Sequence, residues 1–151
     1  MSMNFEQYAA RGNEMINQLA QELDTPRDQA ARILRSTLHA LRNRLSIEEN
    51  FDLLSQLPMM LKAIYVDGWK PAAKIYQSHH LDDFIDEIRS FDPHAAARDL
   101  GNNERAQYMV KGVVRILGQY VSQGEMNDVI GVLPAEIKDF FKSTLEENQL
   151  F

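Results

Sequence analysis

"ILRSTLHALRNRLSIEENFDLLSQLPMMLKAIY", residues 33–65, has a second version in the same chain. Shifted by 76 positions it lies, without a gap, on "MVKGVVRILGQYVSQGEMNDVIGVLPAEIKDFF", residues 109–141. Identities fall at Leu41/Leu117, Ser46/Ser122, Glu49/Glu125, Asp52/Asp128, Leu57/Leu133, Pro58/Pro134 and Lys62/Lys138. Apolar residues match apolar ones between them, as at Leu34/Val110, Leu38/Val114, Leu53/Val129, Leu61/Ile137 and Tyr65/Phe141. Coincidence does not produce ungapped matches that also preserve a helical hydrophobic period. The chain therefore reads as a tandem duplication, with one helical repeat over residues 1–75 and another over 76–151, packed as one compact domain.

Each unit has a consistent local grammar. Ile33, Leu34, Leu38, Leu41 and Leu45 form one apolar stripe at a 3.6-residue period. Thr25 and Pro26 before them suit an N-cap and a first-turn proline, which predicts a long helix from about 26 to 45. "SIEE" and its counterpart "SQGE" place Ser three residues before Glu, the reciprocal capping box that opens a short helix. Leu57-Pro58 and Leu133-Pro134 close that helix, because the residue before proline avoids the helical region, and a further helix follows. An amphipathic segment precedes each long helix, from 5 to about 23 and from 81 to 88. In the second unit Pro93 and Gly101 break it in two. No segment alternates like a strand, so the expected fold is all-α, built from two four-helix units. A twofold axis and a translation both satisfy the pattern.

Composition restricts the function classes. The 44% hydrophobic and 25% charged content of this 151-residue chain is that of a soluble globular protein, and no apolar run approaches the roughly 20 residues of a membrane span. There is no cysteine, hence no thiol nucleophile or cysteine-bound zinc, and the first residues lack the order of a secretory signal, so a cytoplasmic location is expected. The net charge of −6 sits in the second half, and it opposes nucleic acid and anionic lipid. No GxSxG, HExxH, GxxxxGK[ST] or GxGxxG motif occurs, and no pattern pairs two buried carboxylates, so neither catalysis nor a cofactor is expected.

Two groups of residues remain as candidate sites. The junction "VDGWKPAAKIYQSHH" has no counterpart in the second half. Asp67-Gly68 suits a helix end and Pro71 prevents continuation. Trp69 and Tyr76 are expected to pack into the seam between the units; a sharper alternative is an aromatic-lined ligand pocket at that seam, using Tyr65, Trp69, Tyr76, His80 and Asp83. His79, His80, Asp82, Asp83 and His94 include the residue types that bind metals. Leu81, Phe84, Ile85 and Ile88 nevertheless define the apolar face there, so Asp82, Asp83, Asp86 and Glu87 should look into solvent, and no metal site is assigned. The second group is a basic stripe, Arg32, Arg35, His39 and Arg42, on the side of the long helix away from its core residues, a candidate interaction face whose plainer reading is a solvated surface.

The stretch "LHALRNRLSIEENFDLLSQLPMMLKAIYVDGWKP", followed by "HHLDDFIDEI" and later "YVSQGEMNDVIGVLP", closely resembles the bacterial domain-of-unknown-function family 2267. The likeness spans nearly the whole chain and is most specific from Leu57-Pro58 through Gly68-Trp69 to Pro71. It implies a small, soluble, all-helical bacterial protein and implies no activity, cofactor or catalytic residue. The resulting expectation is a non-catalytic interaction or scaffold protein with an unknown protein partner. The alternative is small-molecule or metal binding at the seam between the repeats.

Overall fold

The computed structural model describes residues 4–71 and 80–149, and all regular structure within them is helical. Helix α1 (Phe5–Leu23) is capped by Asn4, whose side chain accepts the Glu6 amide at 3.0 Å, and it stops at left-handed Asp24. Helix α2 (Arg27–Arg42) is shorter than its apolar stripe predicts. Pro26 rather than Thr25 is its N-cap, at ψ 151° and with no side-chain cap bond. At the other end Asn50 holds the chain in a turn, its Nδ2 donating to the carbonyls of Arg42, Leu45 and Ser46 at 3.1, 3.1 and 2.9 Å.

Helix α3 (Ile47–Gln56) opens with both bonds of its capping box: Ser46 Oγ accepts the Glu49 amide at 3.2 Å, and Glu49 accepts the Ser46 amide at 3.1 Å. Leu57 ends it at ψ 146°, ahead of Pro58, and helix α4 (Met59–Val66) follows. In the second half the expected break is present. Helix α5 (Leu81–Ser90) gives way to α6 (Pro93–Leu100) at Asp92-Pro93, and Gly101, at φ 65°, separates α6 from α7 (Asn103–Tyr120).

Helices α8 (Gln123–Val132) and α9 (Ala135–Gln149) start 76 residues after α3 and α4. Two differences separate the halves. Ser122 accepts the Glu125 amide, but its own amide donates to Gln56 Oε1 of α3 at 3.3 Å, so a bond across the halves replaces the return bond of the second capping box. More consequentially, α4 stops after 8 residues while α9 continues for 15.

One core joins both halves. Leu19, Leu34, Leu38 and Leu61 from the first, with Val110, Val114, Ile137 and Phe141 from the second, are all 0% exposed within one cluster. Each such burial contributes about 1.5–3 kcal/mol before entropy is counted. The packing is reciprocal: α1 lies on α7 while α5 and α6 lie on α2, α2 meets α7, and α3 meets α8. These contacts recur with the halves exchanged. Gly112 lets α7 approach α1, since a Cβ there would stand 2.5 Å from Leu23 Cδ2. Buried or half-buried ion pairs tie the same interfaces: Arg32 to Asp99 of α6 by two bonds at 2.7 and 2.9 Å, Arg44 to Glu87 of α5, and Arg115 to Glu22 of α1. Among the described residues no helix is long and apolar enough to cross a membrane.

Candidate functional site

The early end of α4 organises its surroundings. A helix that stops leaves its last carbonyls without amide partners, and side chains must supply donors. His39 and Arg42 do so from α2: His39 Nε2–H donates to the Ile64 carbonyl at 2.8 Å, and Arg42 Nη1 donates to the carbonyls of Tyr65 and Asp67 at 2.6 and 2.8 Å. The expectation of a basic interaction stripe fails at these two residues, which are only 4% and 8% exposed. Burial lowers the His39 pKa, with the positive charges of Arg42 and Arg35 adding to the effect, so the neutral Nε2–H imidazole fits its role as donor. Arg32 is engaged with Asp99. Arg35 pairs with Asp67 at 2.9 Å and is the one member of the four facing solvent for about half of its side chain (49%). The periodicity placed all four on one side of α2 correctly, but that side receives α4 and α6.

The residues expected at the seam are dispersed. Tyr65 is fully buried, its hydroxyl donating to Asn50 Oδ1, and burial raises its pKa so that it stays protonated. Gly68, left-handed at φ 68°, turns the chain so that the half-buried Trp69 ring meets Phe51 edge-on at 5.7 Å and Tyr65 at 6.5 Å. Both partners belong to the first half, so the expected seam packing of Trp69 is corrected to packing between α3 and α4. His80 stands at the N-cap position of α5 without a side-chain cap bond and pairs through Nδ1 with Glu136 of α9 at 2.7 Å, which raises its pKa. Asp83 lies in the first turn of α5 and is exposed. Tyr76 and His79 lie outside the described residues. Among the described residues no three His, Asp or Glu side chains are grouped to hold a metal ion. Glu87, expected to face solvent, instead accepts hydrogen bonds from Arg44 and from Asn43 at 2.8 Å.

Comparison of the two halves at equivalent positions reveals surfaces that residue-by-residue reasoning missed. On the first half Ile47 and Phe51, one turn apart on α3, are 47% and 55% exposed. Trp69 adjoins Phe51, and Val66, whose carbonyl accepts the Trp69 amide at 3.0 Å, is 40% exposed. The positions 76 residues later are Gln123, Asn127, Lys142 and Leu145. There the surface is an open groove of about 740 Å³ between α7, α8 and α9. Helix α9 runs on past the point where α4 ends, so its carbonyls are satisfied within the helix, and Gly118 stands at the position of Arg42 with Leu145 packed against it. The signal was present in the alignment as the mismatches Arg42/Gly118 and Phe51/Asn127, which carry meaning only once the shared surface is known.

A family model described as an uncharacterized conserved protein, DUF2267, matches residues 12–140. The chain belongs to this family. The matched region runs from α1 into α9 and includes the α3–α4 surface and most of the groove-lining residues. No curated protein matches the chain.

Proposed function

We propose that this family member is a non-catalytic interaction protein that docks a partner protein on the apolar face formed by Ile47, Phe51, Val66 and Trp69. The observation that carries the reading is the contrast between the halves. The aligned positions on α8 are filled by Gln123 and Asn127, so the fold itself does not require apolar side chains there. A cluster of large apolar residues kept at a surface that tolerates polar ones fits a binding face. The alternative of a small molecule or metal held at the seam has less support, because Tyr65 and Trp69 close on α3 while His80 turns to α9.

Replacing Phe51 by the photo-crosslinker benzoylphenylalanine in cells tests the reading. A crosslinked protein is expected at position 51 and not with the same probe at Asn127, and the additional substitution Ile47→Lys should remove it. Equal crosslinking at both positions, or none at 51, would overturn the proposal. A crosslink to a second copy of this chain would replace the partner with self-association.

A further inference from the structure

The groove on the second half has the character of a small-ligand site. Its volume of about 740 Å³ falls within the roughly 300–1,000 Å³ typical of such sites. Its floor is apolar: Met126 and Ile130 are 3% and 7% exposed, Leu145 is half-buried, and Gly118 contributes backbone alone. The α9 wall carries Lys138 and Lys142 one turn apart, and among the described residues neither has an ion-pair partner. Lys138 is half-buried. The α8 wall offers the amides of Gln123 and Asn127. Glu146 lies one turn beyond Lys142 and makes that end unfavourable for a second negative charge.

We infer that this groove binds a small amphipathic carboxylate. Its apolar body would lie on Met126, Ile130 and Leu145, and its single anionic head would lie between Lys138 and Lys142. Two cations beside an apolar floor discriminate in favour of a carboxylate over a neutral or cationic molecule of the same shape. The protein carries −6 overall, so two lysines without an ion-pair partner among the described residues form a local exception to its field. In the first half Arg42 reaches under the end of α4, and Trp69 lies over Phe51 and Tyr65; at Gly118 the Leu145 side chain packs against the backbone instead.

The test titrates octanoate, octanol and octylammonium into the full ¹⁵N-labelled chain, following the Gly118 and Gly131 amides. Octanoate is expected to shift both at lower concentration than either control. Lys138→Met with Lys142→Met keeps the apolar stems and should weaken octanoate by at least about tenfold while leaving octanol unchanged. Gly131→Phe, at a lining position where a Cβ meets nothing within 4 Å, puts a bulky ring into the groove and should abolish binding of octanoate and octanol alike; both variants are checked for unchanged thermal unfolding. Equal binding of all three probes, octanoate binding insensitive to the double substitution, or no shift at Gly118 and Gly131 at millimolar octanoate would overturn the inference.

Discussion

The Tyr65 hydroxyl donates to Oδ1 of Asn50 in a fully enclosed site, with the two residues 0% and 2% exposed. Asn50 uses its other end to hold three carbonyls of the α2–α3 turn, and the Tyr65 carbonyl is held by Arg42. One buried network thus ties the end of α2 to α3 and α4. The second half has Phe141 and Met126 at these positions and builds the same helix pair without it. Tyr65→Phe should destabilise the protein by about 1–2 kcal/mol, the cost of an orphaned buried acceptor. Asn50→Leu, which strips a donor from three carbonyls, should cost more. Urea unfolding measures both, and a Tyr65→Phe loss below about 0.5 kcal/mol would show that the bond adds nothing.

Arg44 and Glu87 form the most enclosed ion pair between the halves, their side chains 2% and 13% exposed. Arg44 also donates to the Ala40 carbonyl at 2.9 Å and lies over the Phe84 ring at 4.8 Å. Glu87→Ala leaves that guanidinium buried without its carboxylate and should cost about 3–5 kcal/mol. Replacing both, Arg44→Met with Glu87→Leu, should cost less than the single change. A double-mutant loss equal to the sum of the single losses would rule out coupling between them.

Trp69 is half-buried, so Trp69→Ala should cost about 1–3 kcal/mol, less than the truncation of a fully enclosed tryptophan. Gly68→Ala forces an L side chain to φ 68° and should cost about 1 kcal/mol, with a red shift of Trp69 emission as the ring leaves Phe51. Unchanged emission in Gly68→Ala would show that the turn does not seat the indole.

His39 makes stability depend on pH in a defined direction. Its folded pKa lies below the ordinary 6.5, through burial first and then Arg42 and Arg35, with the Ile64 carbonyl and Asp67 working in the opposite sense. The unfolded chain therefore binds more protons near and below pH 6.5, so stability is full above that range and falls as the pH drops through it. His80 has the opposite sign, since Glu136 raises its pKa and its contribution fades as the pH rises, but it is exposed and screened. Unfolding free energies between pH 5 and 8 should thus fall towards acid in the native protein and fall less in His39→Gln. Equal slopes would dissociate His39 from the effect.

Local signals determined much of this protein. The apolar period of residues 33–45, the Ser46–Glu49 box, Leu57-Pro58 and the Pro93 and Gly101 breaks act within a few residues of where they stand, so the sequence alone located the boundaries of α1 to α3 to within a few residues and the breaks on either side of α6, while the length of α9 was not legible in it. The 76-residue correspondence likewise aligned α3 with α8 and α4 with α9. Tertiary structure decided what the helix faces meet. Periodicity states which residues share a side, and nothing in it says whether that side receives water, a neighbouring helix or a truncated helix end. Arg42 and His39 thus pass from an expected surface stripe to buried donors, and Glu87 from solvent to Arg44. The groove beside Gly118 depended on tertiary structure most of all, because an open space is defined by side chains from three helices.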